Sequence, residues 1–224
     1  MKQGKKTELL FGITGASILE ISHKLKELKR RKISKAGLFL TRLNKECRKK
    51  TYKLLEYSSI KSIPLVHIRN DMTLDELKYL NDTFKVQFFT IHVNGLNYLP
   101  KWKGFHKKLY LEFCMNSSVP SASSIRAIGG FCIDLAHYKR SERIRSGDYY
   151  FVNRLKNDKG LFACNHISGY SYRENRDLHN AGSSTDFEYL KEIPEFLLGK
   201  VAALEVNNTI REQVRFAKQI CNYL

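Results

Sequence analysis

No apolar run in the chain is long enough to cross a bilayer, no two cysteines form a C-x-x-C pair, and no proline- or serine-rich linker interrupts it. A spanning helix needs about 18–20 uninterrupted apolar residues, so none is expected. The five cysteines, Cys47, Cys114, Cys132, Cys164 and Cys221, are odd in number and widely spaced. That argues against a zinc ribbon, a thioredoxin motif or a disulfide scaffold. Three of them fall inside apolar strand-like runs, where a thiol behaves as a small hydrophobe. Without a linker or a low-complexity tract, residues 1–224 read as one domain with room for a sizeable core. The segment 9–17 behind Lys2, Lys5 and Lys6 has the basic-then-apolar order of a secretory signal. The same residues serve well as a first buried strand, and a cytoplasmic protein is the expectation.

Acidic residues are scarce too: 22 Asp+Glu against 39 Lys+Arg leave a net charge of +17. Such a surface attracts polyanions and favours nucleic acid, phosphorylated substrates or acidic lipid. The excess is uneven: between residues 22 and 61, 14 basic residues face only Glu27, Glu46 and Glu56. A solvated helix face would account for the same run. Charge alone names no function.

Short β-branched or aromatic runs alternate with amphipathic stretches along the whole chain, the pattern of βα units around a parallel sheet. The strand candidates are Leu9–Thr14, Ala36–Thr41, Pro64–Arg69, Val86–Val93, Lys108–Phe113, Phe131–His137, Leu161–Ser168 and Val201–Val206. Helices are predicted over Ile18–Lys32, Thr73–Phe84 and Ile210–Leu224, and a loop over Ser117–Ser124. Eight strands fit a single α/β domain, a minimal (β/α)8 TIM barrel. An open doubly wound sheet would more often use five or six strands, and its glycine-rich phosphate turn is missing after Thr14.

Side chains alternate between the two faces of a strand. Val66 and Ile68, then Phe89, Ile91 and Val93, then Leu109, Leu111 and Phe113 occupy one phase. Phe131, Ile133 and Leu135, then Ile167, then Leu204 and Val206 continue it, with Asn165 its one polar member. The opposite phase carries His67, His92, Glu112, Asp134, His166 and Glu205, one on each of six consecutive strands near its C-terminal end. That end is where barrel active sites are assembled. Uncompensated, such groups would cost several kcal/mol each, and a metal cluster satisfies them together. His137 follows Asp134 by three, and Asp177 with His179 forms an Asp-x-His pair in the loop 169–186. Alternate residues of an extended segment share a face, so this pair can chelate one ion. His23 and His106 are left over and read as surface residues.

The run Gly130-Phe-Cys-Ile-Asp134-Leu-Ala-His137 resembles the strand-six signature of endonuclease IV, the family-2 apurinic/apyrimidinic endonucleases of the xylose-isomerase-like TIM-barrel superfamily. Glu112, His166, Asp177-Leu-His179 and Glu205 match that family's later ligands in order, and His67 and His92 its first two. The resemblance implies three divalent ions, Zn²⁺ by preference with Mn²⁺ or Fe²⁺ as substitutes. His67, His92 and Glu112 would hold the first. Glu112 would bridge to a second, also held by Asp134, His166 and Glu205, and His137, Asp177 and His179 would hold the third. The implied chemistry is in-line hydrolysis of a phosphodiester by metal-activated water, with Glu112 and Glu205 as catalytic residues and Glu205 orienting or deprotonating the water. The implied partner is abasic or damaged duplex DNA, bound by a monomer.

Candidate DNA contacts follow the strands. Arg42 and Lys45 come after strand two, where the family has a DNA-contacting basic loop, and Arg69 after strand three. Trp102 between Lys101 and Lys103 follows strand four, and Lys139, Arg140 and Arg143 follow strand six. Tyr170, Tyr172, Arg173 and Arg176 lie in the strand-seven loop. Basic groups would grip phosphates and aromatic faces would stack on unpaired bases. Two other functions stay open. A sugar isomerase or epimerase of the same superfamily needs mostly the quartet Glu112, Asp134, His166 and Glu205 around one ion. A non-catalytic nucleic-acid-binding barrel would bind DNA without taking up metal.

Overall fold

The computed structural model describes residues 7–113, 122–158 and 160–224. Cys114 and residues 117–121 of the expected loop lie outside them. Eight parallel strands close on themselves: β1 (Glu8–Ile13), β2 (Ala36–Phe39), β3 (Leu65–His67), β4 (Phe88–Ile91), β5 (Leu109–Phe113), β6 (Gly130–Asp134), β7 (Phe162–Ile167) and β10 (Val201–Leu204). The last strand pairs with the first, Glu8 opposite Val201 and Leu10 opposite Ala203. The chain is a (β/α)8 barrel, and all eight expected strands are present, most of them shorter than expected and the first and sixth starting one residue earlier. The segment with signal-like order is the first of them.

Between the strands run α1 (Ile18–Arg30), α2 (Lys45–Glu56), α3 (Leu74–Phe84), α4 (Ala122–Ala127), α5 (Leu135–Arg143), α6 (Gly147–Arg154) and α7 (Ile210–Ile220). Helix α4 begins inside the expected loop Ser117–Ser124. Local chemistry sets the helix starts. The Ser17 side chain accepts from the Glu20 amide. Thr73–Glu76 and Thr209–Glu212 are capping boxes in which each partner satisfies the other's free amide. After β4 there is no α-helix; 3-10 turns over Val93–Trp102 and His106–Lys108 carry the chain to β5. Among the described residues, no helix is long and apolar enough to cross a membrane.

Alternation of side chains separates two cores. The outer one, between strands and helices, takes Val66, Phe89, Leu111, Phe131, Ile133, Ile167 and Leu204. The inner one fills the barrel floor with Leu10, Phe39, Leu65, Phe88, Cys132, Cys164, Val201 and Ala203. Asn165, the polar residue of the outer phase, is fully buried and fully used: its amide donates to the carbonyls of Ile133 and Leu197, and its Oδ1 accepts from Gly199. Gln213 lies in the buried stripe of α7 and brackets Gly12, accepting from its N–H and donating to its C=O. Gly12 has to be glycine, since a Cβ there would stand 1.7 Å from the Leu204 carbonyl oxygen across the closing seam. Arg48 on α2 is buried with Glu76, Asp71 and the Leu43 carbonyl, which ties α2 to α3.

Two expectations change with this frame. Strand six stops at Asp134, so Leu135 and His137 belong to α5 and not to a strand. The loop after strand seven is partly ordered as an antiparallel hairpin, β8 (Gly169–Ser171) with β9 (Arg176–Leu178), followed by a 3-10 helix over Ser184–Glu192.

Candidate metal centre

Each strand delivers its donor to the same rim. His67 closes β3, Glu112 and Asp134 lie at the ends of β5 and β6, and His166 sits near the end of β7. His92 lies one residue beyond β4 and Glu205 one beyond β10, whose pairing continues as the Glu205 amide donates to the Ile167 carbonyl. His67 Nε2 is 3.1 Å and His92 Nε2 3.0 Å from Glu112 Oε2. His166 Nδ1 is 3.1 Å from both Glu112 Oε1 and Glu205 Oε2. One donor atom from each of His67, Glu112, His166 and Glu205 can be chosen so that all lie within 4.8 Å of one another. In a tetrahedral zinc site with bonds of about 2.0–2.1 Å the ligand atoms stand about 3.3 Å apart. These four residues form a cluster that could hold a metal ion.

The second group joins the first at the rim. His137, on the first turn of α5, approaches Asp134 Oδ2 at 3.9 Å and Asp177 Oδ1 at 3.6 Å. Asp177 Oδ2 is 3.2 Å from His179 Nε2. His179 Nδ1 donates to the Glu205 carbonyl at 2.8 Å, which leaves Nε2 as a lone pair facing a carboxylate. Two acceptors face to face require a cation between them, a proton or a metal ion. Asp134 Oδ1 is occupied as the N-cap of α5, accepting from the Ala136 and His137 amides. All nine sequence-predicted donors therefore fall in two adjoining groups at one end of the barrel.

Burial and the neighbouring carboxylates set the charges of these donors. Burial drives His67 down to about 4, so its ring stays neutral. Burial also opposes charge on His166, yet Glu205 and Glu112 raise it well above its ordinary value. Burial raises Asp134. In the second group burial opposes charge on His137, but Asp134 and Asp177 push it up to about 9. Contact with Asp177 carries His179 up to about 9 as well. Both ring nitrogens of His67, Glu112 Oε2 and His137 Nδ1 are buried without a hydrogen-bond partner among the described residues. An unmet buried polar atom costs about 1–3 kcal/mol, and a divalent ion would satisfy several at once.

Around the donors, some supporting contacts were not foreseen. The Thr90 hydroxyl lies 3.2 Å from His166 Nε2 and fixes the ring, and it shares the inward phase with His92. Phe39 packs edge-on against His166, with centroids 5.1 Å apart, and no periodicity points to that contact.

The candidate DNA contacts are divided by burial. Trp102 is fully buried and donates to the Met72 carbonyl, because the 3-10 segment turns it inward, so it has no free face for a base. Tyr170 is buried under the hairpin with its hydroxyl on Asn175. Lys139 is buried between Glu142 at 2.5 Å and Glu192 at 2.6 Å, its charge already neutralised. These three assignments are corrected. Arg69 pairs with Asp71 and the Thr41 carbonyl, and Arg176 pairs with Glu174. Tyr172 is partly exposed with Glu192 on its hydroxyl and Arg143 over its ring. Arg42, Lys45 and Arg173 are exposed and Arg140 is half-buried. His23 is exposed as expected, whereas His106 is half-buried against the Leu99 carbonyl.

Fold and site together define a (β/α)8 barrel with a candidate metal centre at its C-terminal rim. No family model and no curated protein matches the chain. A similar solved structure is N-(5'-phosphoribosyl)anthranilate isomerase from Pyrococcus furiosus, 12% identical with a TM-score of 0.42 over 96% of this chain and 99% of that one. The barrel assignment rests on the closed strand order itself.

Proposed function

We propose that the chain is a metal-dependent phosphodiesterase acting on DNA in the manner of endonuclease IV. One observation carries the reading: besides the strand-end donors there is a second complete donor group, Asp177 held between His137 and His179. A single-ion enzyme would not need it as a ligand set. His67, His92 and Glu112 would hold one ion, with Glu112 shared toward Asp134, His166 and Glu205, and His137, Asp177 and His179 would hold a third. Zinc suits this mixture of imidazole and carboxylate. The ions would supply Lewis-acid activation of a phosphoryl group and water acidic enough to react near neutral pH. Glu205, only partly buried and in the 200 Å³ mouth lined by Thr14, Arg42, His179 and Asn207, would orient the attacking water and accept its proton. Arg42, Lys45 and Arg173 remain as exposed phosphate contacts.

A second reading, a sugar or sugar-phosphate isomerase, draws on two observations. The tightest donor cluster, His67, Glu112, His166 and Glu205, is the size of one ion site. Burial of Trp102, Tyr170 and Lys139 also removes much of the expected DNA-gripping surface. Elemental analysis of the as-purified protein, beside a nicking assay on an abasic duplex, separates the two. About three ions per chain with nicking supports the nuclease. One ion with no nicking at saturating enzyme and metal supports the isomerase.

A further inference from the structure

Beside the metal centre, between α1 and the chain leaving β10, lies a cleft of about 750 Å³ lined by residues that include Thr14, Lys24, Arg30, Arg42 and Asn207. The volume is that of a ligand-sized pocket. Lys24 lies at its base, 5% exposed, with its Nζ on the Thr14 hydroxyl at 2.5 Å and the Val206 carbonyl at 3.0 Å. An ammonium has three hydrogens, so one is left over at the cleft wall. Lys24 forms no ion pair among the described residues, and burial lowers it to about 8, leaving it mostly charged at neutral pH. Glu20, Glu27 and Glu212 favour its charge through space, while the two that line the cleft accept from backbone amides, Glu20 from Ala16 and Glu27 from Ile210 and Arg211. His23, Lys26, Arg30 and Arg42 stand exposed along the cleft. A buried cation is costly unless it is paired, and this one has no carboxylate within ion-pair distance among the described residues, on a cleft whose exposed side chains are mostly basic.

We infer that this cleft is an anion subsite that receives a phosphate group of the substrate, with Lys24 beneath the phosphate and Arg42 and Arg30 at its edge. Arginine forks match phosphate oxygens and a lysine acts as a point charge. Thr14, Arg42 and Asn207 line both the cleft and the mouth that holds Glu205 and His179. A ligand whose phosphate rests on Lys24 can therefore extend to the donor rim. The assignment rests on neither reading of what the metal centre does.

The test uses full-length protein stripped of metal, so binding at the rim makes no contribution. Inorganic phosphate is titrated by calorimetry at constant ionic strength set with chloride. Saturable one-to-one binding is expected, weakened at least tenfold by Lys24→Met. The exposed pair Arg30→Gln with Arg42→Gln should weaken it severalfold, and it keeps the test decisive if Lys24→Met fails to fold. Lys50→Gln with Lys53→Gln removes the same charge from α2 and should change nothing. Absence of saturable binding, or equal losses in both double variants, would overturn the subsite in favour of diffuse attraction. Ribose 5-phosphate and the dinucleotide TpT, titrated the same way, distinguish a phosphomonoester from a phosphodiester: the one weakened by Lys24→Met is the source, and an effect on neither overturns the proposal. Metal content, measured separately, stays unchanged in all these variants, so loss of the subsite leaves the metal centre standing.

Discussion

The two donor groups at the rim are built on different supports. His67, Glu112 and His166 project from barrel strands and are almost wholly buried, and Thr90 and Phe39 brace the His166 ring. Asp177 and His179 stand on or just beyond a short hairpin, and His137 stands on the first turn of a helix. His179 is 44% exposed at its side chain, against 0% for His166. The strand-held group cannot relax away from its unmet polar atoms, whereas the hairpin-held group can rearrange or take up protons. The first should hold its geometry without metal, and the second should depend on it.

Glu205→Gln gives the largest expected effect, a loss of about 10²–10⁴-fold in turnover, as for removal of a general base. Initial rates check it, and full activity in this variant would remove Glu205 from the chemistry. Next comes Asp177→Asn. Under the nuclease reading it should lose one ion per chain while the strand-held ions stay. Unchanged ion content would make the hairpin group structural and favour the single-ion isomerase.

A pH series on metal-free protein sharpens the contrast further. His137 is raised in the folded state from 6.5 to about 9. Its stabilisation is therefore fully present below pH 6.5 and is lost as pH rises through 9, a change of about 3 kcal/mol at most. Denaturant midpoints should fall across that window, and His137→Gln should flatten the slope. A midpoint that rises instead would contradict the pairing of His137 with Asp134 and Asp177. The smallest effect belongs to Trp102→Phe, which loses one buried hydrogen bond at a cost of about 1 kcal/mol. DNA affinity should not move, and a drop in affinity without a drop in stability would restore Trp102 as a base contact.

The strand-end donors were legible because a strand's period of two puts alternate side chains on opposite faces. Once Leu109, Leu111 and Phe113 face the helices, Glu112 must face inward, and the same holds for His166 opposite Ile167. The direction of Trp102 was not legible, because a 3-10 turn follows neither the strand nor the α-helix period. Nor was Gln213, a polar residue in an apolar stripe whose partner Gly12 lies 201 residues away. Lys24 was hidden in a basic run where most neighbours are solvated, and only its contact with Thr14 and Val206 sets it apart.

By itself, the order of residues determined eight strands, their inward and outward faces, and the identity of the groups at their C-terminal ends, since all of these follow from local periodicity. Closing the sheet decided the rest. It placed β10 against β1, brought the ends of distant strands to within hydrogen-bonding distance of one another, and folded the hairpin beside α5. Proximity between residues far apart in the chain is a property of packing, and so are the burial of Trp102 and the cleft around Lys24.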